Sequence, residues 1–503
     1  MIFLLSAVVL AAAILLGGGS RAGILGDAAV QLLAIPLFLA SLWCWADKSG
    51  SVTLWRRTRA LPLFLIAALS LVVLFVQLLP LPPIFDSDWI WAHSRPAAAG
   101  GAVAEESWRR LSLTPHASWA GVASMLPPLA LFAGVSQLDA AARFRMAALV
   151  IGLSALALLL GFLQIVQGPN SGLRFFEFTN AFEAVGFFAN RNHFASLLYT
   201  ALVFAAVWFS FAAGDFVKQG TLDTRAILWF AAAAALLIAT IAGLAMARSR
   251  AGLVLALAAI GGIVAMFFVD GRKSGKGRDS SSRFVRRLAL GALGLAVLFA
   301  AQFGLSRMMM RFEVDPLADL RITLTAATVR AAVENLPFGT GIGSFVAVYL
   351  TREKTEDLFS DYANRAHNDW AELLLETGVF GAAIAALFLW WFIGRLIAVW
   401  RPRPDERPDH HLTLQRAATV AITLLLAHSL VDYPLRTTAM VTVFAFACAI
   451  LIEPPVPTTP DEQPARRSSR RRKERPAPAP EATPEGGWGA EMDWPDAWKK
   501  GDR

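Results

Sequence analysis

Cysteine, tyrosine and charge are all scarce in this chain. Its two cysteines, Cys44 and Cys448, both fall inside apolar runs of the 503-residue sequence. So placed, they supply neither a disulfide framework nor metal-ligand spacing, and each reads as a small buried apolar residue. Charged residues make up 17% of the chain, where a soluble domain carries about 25%. The hydrophobic fraction is 56% and the mean hydropathy is +0.52. These values exclude an ordinary soluble globular protein. The formal charge of +8 is explained by basic residues flanking apolar runs, a topology signal, so it does not point to nucleic acid.

Apolar runs of roughly 20 residues recur, each long enough to cross a bilayer core as a helix. About twelve are legible, near 2–17, 28–46, 60–80, 118–137, 144–167, 188–213, 226–246, 250–269, 287–305, 378–399, 416–433 and 437–453. The first has no basic segment before it and is followed at once by another apolar run, so it reads as a span rather than a leader. With Met1 inside, alternate loops collect Lys48, Arg56, Arg57 and Arg59, then Arg143 and Arg145, then Lys218 and Arg225. A basic run from Arg272 to Arg287 and the group Arg395 to Arg416 follow on the same side. The positive-inside rule then places both termini in the cytoplasm. The expectation is an all-α integral membrane protein, with residues 1–453 as the membrane domain and a long, partly helical loop before the tenth span.

Two outer loops are long, 81–117 and 306–377. The first carries Trp89, Trp91 and Trp108, with Trp119 just beyond it, residues suited to a bilayer interface. In the second, Asp315-Pro316 reads as a helix cap followed by proline at the first helical position, opening a helix that runs to about Asn335. Pro337 ends it, and PFGTGIG forms a glycine-rich turn. A short helix is expected from His367 to Thr377, stopped by Gly378. On it Asp369, Glu372 and Glu376 share one face, read here as solvated. Residues 454–503 are Pro-rich and basic, with the late segment WGAEMDWPDAWKK. That composition predicts a disordered cytoplasmic tail, its basic part lying against anionic lipid and its aromatic end available to a cytoplasmic partner.

Three basic residues end apolar segments on the outer side: Arg250 in MARSRAGL, Arg321 in LRITLTAATVR and His367 in NRAHNDWAELLLETG. Charge at a membrane boundary is costly and marks function by default. Two guanidinium forks fit the oxygens of a diphosphate, and an imidazole can take a proton near neutral pH. The bland alternatives are snorkelling anchors for the arginines and a surface polar residue for the histidine. Asn190, Arg191 and Asn192 open another segment on that side and could contact the same ligand or cap a helix. His428, Asp432 and Arg436 lie near the outer end of the eleventh span, where an internal Asp432–Arg436 ion pair is the favoured reading.

At these residues the chain resembles the O-antigen ligase and polymerase superfamily. The resemblance spans about 120–450 and rests on GFFANRNHFASLL (186–198), ARSRAGL (247–253), LRITLTAATVRAAVENLPFGTGIGSF (320–345), AHNDWAELLLETGVFG (366–381) and AHSLVDYPLRTTA (427–439). It implies inverting transfer of a glycan from a polyprenyl diphosphate carrier to lipid A-core or a related acceptor at the periplasmic face of the bacterial inner membrane. It implies neither metal nor other cofactor. His367 would be the catalytic base and Arg250 and Arg321 would bind the diphosphate, with Asn190, Arg191 and Asn192 as further substrate contacts. Asp369, Glu376, His428, Asp432 and Arg436 would support them. Two other activities of the same superfamily fit the sequence, polysaccharide polymerisation and protein O-glycosylation. A transporter of lipid-linked glycan is the rival from another class, and clustering of the basic residues at one face argues against it.

Overall fold

The computed structural model describes residues 1–21, 24–47, 60–81, 109–218, 224–271, 291, 294, 316–353, 363–401 and 410–454. Helix dominates them, as it must where an apolar chain has to satisfy its own backbone. The helices are α1 (Ile2–Leu16), α2 (Leu25–Asp47), α3 (Leu61–Leu78), α4 (Pro115–Ser124), α5 (Leu126–Ser136), α6 (Ala140–Gln167), α7 (Arg191–Lys218) and α8 (Thr224–Ala247). After them come α9 (Arg250–Gly271), α10 (Pro316–Glu334), α11 (Phe345–Leu350), α12 (Asp369–Trp400), α13 (His410–His428) and α14 (Thr438–Ile450), with a 3-10 turn at Pro434–Arg436. Pro80–Leu81 and Arg109–Arg110 pair as a two-residue antiparallel ribbon. The ribbon ties together the two ends of the first long loop, whose residues 82–108 lie outside the described part.

Among the described residues, six helical stretches are long and apolar enough to cross a membrane: Leu25–Trp45, Leu61–Leu78, Pro115–Ser136, Ala140–Gln167, Arg191–Phe209 and Asp369–Trp400. Four shorter apolar helices accompany them: Ile2–Leu16, Ile238–Ala247, Arg250–Met266 and Thr438–Ile450. The chain is a multi-pass membrane protein. Of the twelve expected spans, the one at 287–305 lies almost wholly outside the described residues, as does the tail from 455. The expected span at 416–433 begins earlier and ends at His428, so Asp432 lies in the turn beyond α13.

Small residues let the helices approach closely, the usual device where lipid removes the hydrophobic drive between them. A Cβ on Gly252 of α9 would stand 2.6 Å from that of Ala195 on α7. This contact brings the N-termini of α7 and α9 together. The end of α1 joins them, since Ala439 N–H donates to the Gly17 carbonyl at 2.9 Å and Ala189 N–H to the Gly18 carbonyl at 3.0 Å. The other end is tied by buried arginines. Arg143 donates to the carbonyls of Leu138, Ser136 and Ile452, and Arg395 donates to that of Leu451.

The expected helix 316–335 is observed as α10, Pro316–Glu334. The short helix at 367–377 is corrected in two ways. Asn368, not His367, opens it, its side chain accepting from the N–H groups of Trp370 and Ala371. Gly378 breaks it without ending it, at φ 58°, ψ −145°, and α12 continues into the span. The glycine-rich turn explains the break. Gly339 N–H donates to Asn335 O, Thr340 N–H to Leu375 O, Gly341 N–H to Glu376 O and Val379 N–H to Pro337 O, all at 2.9 Å. Its amides are thus spent on the backbone of α10 and α12. A Cβ on Gly378 would sit 2.0 Å from the Pro337 carbonyl oxygen, in a backbone region that only glycine occupies readily. Gly378→Ala is expected to destabilise the protein by about 3 kcal/mol or more, measured as loss of folded protein on heating in detergent, while Gly152→Ala, whose Cβ meets nothing within 4 Å, leaves it unchanged.

Candidate active site

The ends of α7, α9, α12 and α13 and the turn before α14 enclose a polar site, and α10 lies across it. His367 immediately precedes the α12 cap, with its backbone in the left-handed region at φ 51°. This conformation turns its ring toward the α13 end, where Nδ1 lies 3.1 Å from Asp432 Oδ1. The ring also packs edge-on against Tyr433, with centroids 5.0 Å apart. His367 keeps 22% of its side chain exposed, whereas Asp432 has none.

Asp432 is fixed from three sides. The Asn192 side-chain amide donates to Oδ2, the Tyr433 N–H donates to Oδ1 at 3.0 Å, and His367 takes the remaining contact. Burial opposes its charge. The His367 hydrogen bond and the Arg321 guanidinium outweigh burial and hold the carboxyl well below the ordinary carboxylate range. In a neutral imidazole, an ionised Asp432 favours the tautomer with the proton on Nδ1, which makes Nε2 the acceptor.

Arg321 stands in the first half of α10, partly exposed. One turn further on, the Thr325 hydroxyl donates to the Ala366 carbonyl at 3.5 Å. That contact lays α10 against the residue before His367, and the charge of Arg321 is felt at Asp432. Arg250 is the first residue of α9. Ser249 caps that helix, its hydroxyl accepting from Gly252 N–H at 3.0 Å.

The three residues at the start of α7 have separate roles. Asn190 is a cap, its side chain accepting from Asn192 N–H at 2.8 Å. It also hydrogen-bonds the Tyr433 hydroxyl, whose pKa burial and Asp432 push up to about 12. Arg191 pairs with Glu183 at 2.6 Å. Asn192 alone reaches the His367–Asp432 pair. His428 is fully buried, its Nδ1 shared by the hydroxyls of Ser196 at 2.9 Å and Tyr199 at 3.0 Å.

Two sequence readings are overturned. The expected Asp432–Arg436 ion pair is absent, because α13 stops at His428 and the two residues never share a helical turn. Arg436 instead reaches Glu376 at 2.7 Å, Glu372 at 3.5 Å and Asp369 at 3.6 Å. The acidic face of α12 is therefore not solvated: Glu372 and Glu376 are fully buried and Asp369 nearly so. Arg365 adds a second cation, 2.7 Å from Glu372. Ala366 N–H donates to Glu372, Ser429 Oγ–H to Asp369 and Gly343 N–H to Glu376. Burial opposes the charge on Arg436, but the three carboxylates raise its pKa above the usual arginine value. This network bolts the loop carrying His367 to the turn before α14.

Sequence reasoning missed Arg365 and Tyr433 as parts of this arrangement, and grouped His193 with the start of α7 as a further ligand contact or cap. His193 is fully buried with its ring 4.8 Å from that of Tyr433. The spacing of three acids on one helix face did carry a signal, since such a face must find cations wherever it is buried.

A multi-pass helical protein with an Asp-held histidine and an arginine beside it at one helix end is the class these features define. The sequence model described as O-antigen ligase matches residues 234–386. This confirms the superfamily resemblance for the stretch that holds Arg250, Arg321 and His367, and supports glycan transfer of the ligase or polymerase type in general. No curated protein matches the chain significantly.

Proposed function

We propose that this protein transfers a glycan from a polyprenyl diphosphate carrier to an acceptor hydroxyl, with lipid A-core as the first candidate acceptor. In this reading the chain spans the bacterial inner membrane twelve times, both termini are cytoplasmic and the site opens to the periplasm. The observation that carries the proposal is the His367 Nδ1–Asp432 contact, with His367 and Arg321 both inside the stretch matched to the family.

The acceptor O–H gives its proton to His367 Nε2 as its oxygen bonds the anomeric carbon. The bond from that carbon to the carrier phosphate breaks, and polyprenyl diphosphate leaves with the electron pair. Arg250 and Arg321 offset the charge that develops there. One displacement inverts the anomeric centre. His367 does no work unless it stays neutral at Nε2, and the Asp432 contact sets that tautomer.

The test is transfer by purified protein in nanodiscs from a carrier-linked glycan to lipid A-core, to a second carrier-linked unit or to protein. The acceptor that becomes modified separates ligase from polymerase and protein glycosyltransferase. Carrier binding with transfer to none of them would favour transport. Arg321→Lys is expected to lower turnover by about 10²-fold, because a point charge cannot grip phosphate oxygens in pairs. Wild-type turnover by that variant would remove Arg321 from the diphosphate site.

A further inference from the structure

The loop between α6 and α7 is short of partners on one side and firmly built on the other. Gln164, buried at the end of α6, accepts from the N–H groups of Val185 and Gly186 through Oε1 and donates to the carbonyls of Leu173 and Gly186 through Nε2. Arg174 donates to the carbonyls of Asn180 and Glu183. Asn180 in turn accepts from Arg191 N–H, and Glu183 pairs with the Arg191 side chain. The loop is therefore fastened to the helix start that presents Asn192 to Asp432.

This fastened loop displays Phe175 at 58%, Phe178 at 53% and Phe182 at 68% exposure. Three open phenylalanines on a tied-down loop are not what water-facing surface carries. Their position says what covers them. On α6, Leu156, Leu159, Phe162, Leu163 and Val166 form an exposed apolar stripe at helical spacing, opposite the buried face of Val150, Ala157 and Leu158. That stripe belongs to a helix of membrane-spanning length and ends at Val166, nine residues before Phe175. The exposed Arg21 guanidinium lies 3.5 Å over the Phe178 ring, an apolar surface topped by a cation, which is the pattern of an interfacial segment.

We infer that the 175–182 part of this loop lies in the bilayer interface, with Phe175, Phe178 and Phe182 seated among lipid chains and Arg21 at the level of the phosphates. The loop extends the lipid-facing surface of α6 to the rim of the candidate site. The inference requires only that the protein be a multi-pass membrane protein and does not rest on the proposed reaction.

Spin labels placed at Phe178→Cys and Phe182→Cys, in a Cys44→Ala chain reconstituted in phosphatidylglycerol-containing nanodiscs, test it. Gly172→Cys, at an exposed position where a Cβ meets nothing within 4 Å, is the reference. The parent without an added cysteine gives the background from buried Cys448. Labels at 178 and 182 are expected to collide more with lipid-soluble oxygen and less with a water-soluble nickel chelate than the label at 172. Equal or greater access of the chelate at 178 and 182 would overturn the inference and leave this face open to a water-soluble partner. A thermal transition in detergent matching that of the parent in each labelled variant shows that the reading comes from folded protein.

Discussion

His367→Ala is expected to lower transfer by roughly 10²- to 10⁴-fold, the usual contribution of a general base, while carrier-lipid binding stays within reach of the wild type. Binding survives because the arginines, not the imidazole, hold the diphosphate in the proposed site. The backbone at 367 complicates a simple reading, since φ 51° strains alanine. His367→Asn separates the causes, because asparagine tolerates the left-handed region yet cannot act as a base. Equal loss in both variants assigns the defect to proton transfer. Asp432→Asn should lower turnover less than His367→Ala. The double variant should be no worse than His367→Ala alone, because residues that act as a unit are strongly non-additive. Additive losses would show that Asp432 serves something other than His367. Full activity of His367→Ala would remove the base from the mechanism.

The second large effect is on stability. Arg436→Met leaves Glu372 and Glu376 buried with only Arg365 left to face them, and Asp369 without its cation. Removing one partner from a buried ionic network costs about 3–5 kcal/mol, because the remaining charges are neither paired nor solvated. Thermal unfolding in detergent should show a large downward shift for Arg436→Met. Arg436→Lys should fall between it and the wild type, since one ammonium cannot serve three carboxylates as a guanidinium does. Glu376→Gln in the Arg436→Met background should recover part of the loss by removing one uncompensated charge. An unchanged transition in Arg436→Met would mean that the network contributes nothing net to the fold.

The sequence shows some of this directly and hides the rest for identifiable reasons. Asp315-Pro316 and Pro337 announce α10 because caps and proline act locally, and the observed Pro316–Glu334 follows. The outer-side grouping of Arg250, Arg321 and His367 is an expectation from loop charge counting; the structure sets the start of α9 against α7 and α10 against the residue before His367. The Asp432–Arg436 reading fails because four-residue spacing means adjacency only on a helix, and the helix ends at His428. The acidic face of α12 is misread for a related reason. Arg436, the cation that reaches all three acids, lies sixty residues beyond Glu376, and no local pattern reveals a partner at that separation. PFGTGIG is legible as a turn, but its purpose depends on the backbone of α12, which it grips at Gly378.

The contact between His367 and Asp432 bears on how this protein could be re-engineered. The family match ends at residue 386, so it includes the imidazole and both arginines but neither Asn192 nor Asp432. A chimera that imported residues 234–386 from a relative would set an imported histidine against this chain's own Asp432 and Asn192. It would also set whatever the relative carries at 369, 372 and 376 against this chain's Arg436. The segment is thus not a portable cassette. An exchange of specificity has to carry the α7 start and the α13–α14 turn along with it, or graft only the outer loops and leave this frame in place.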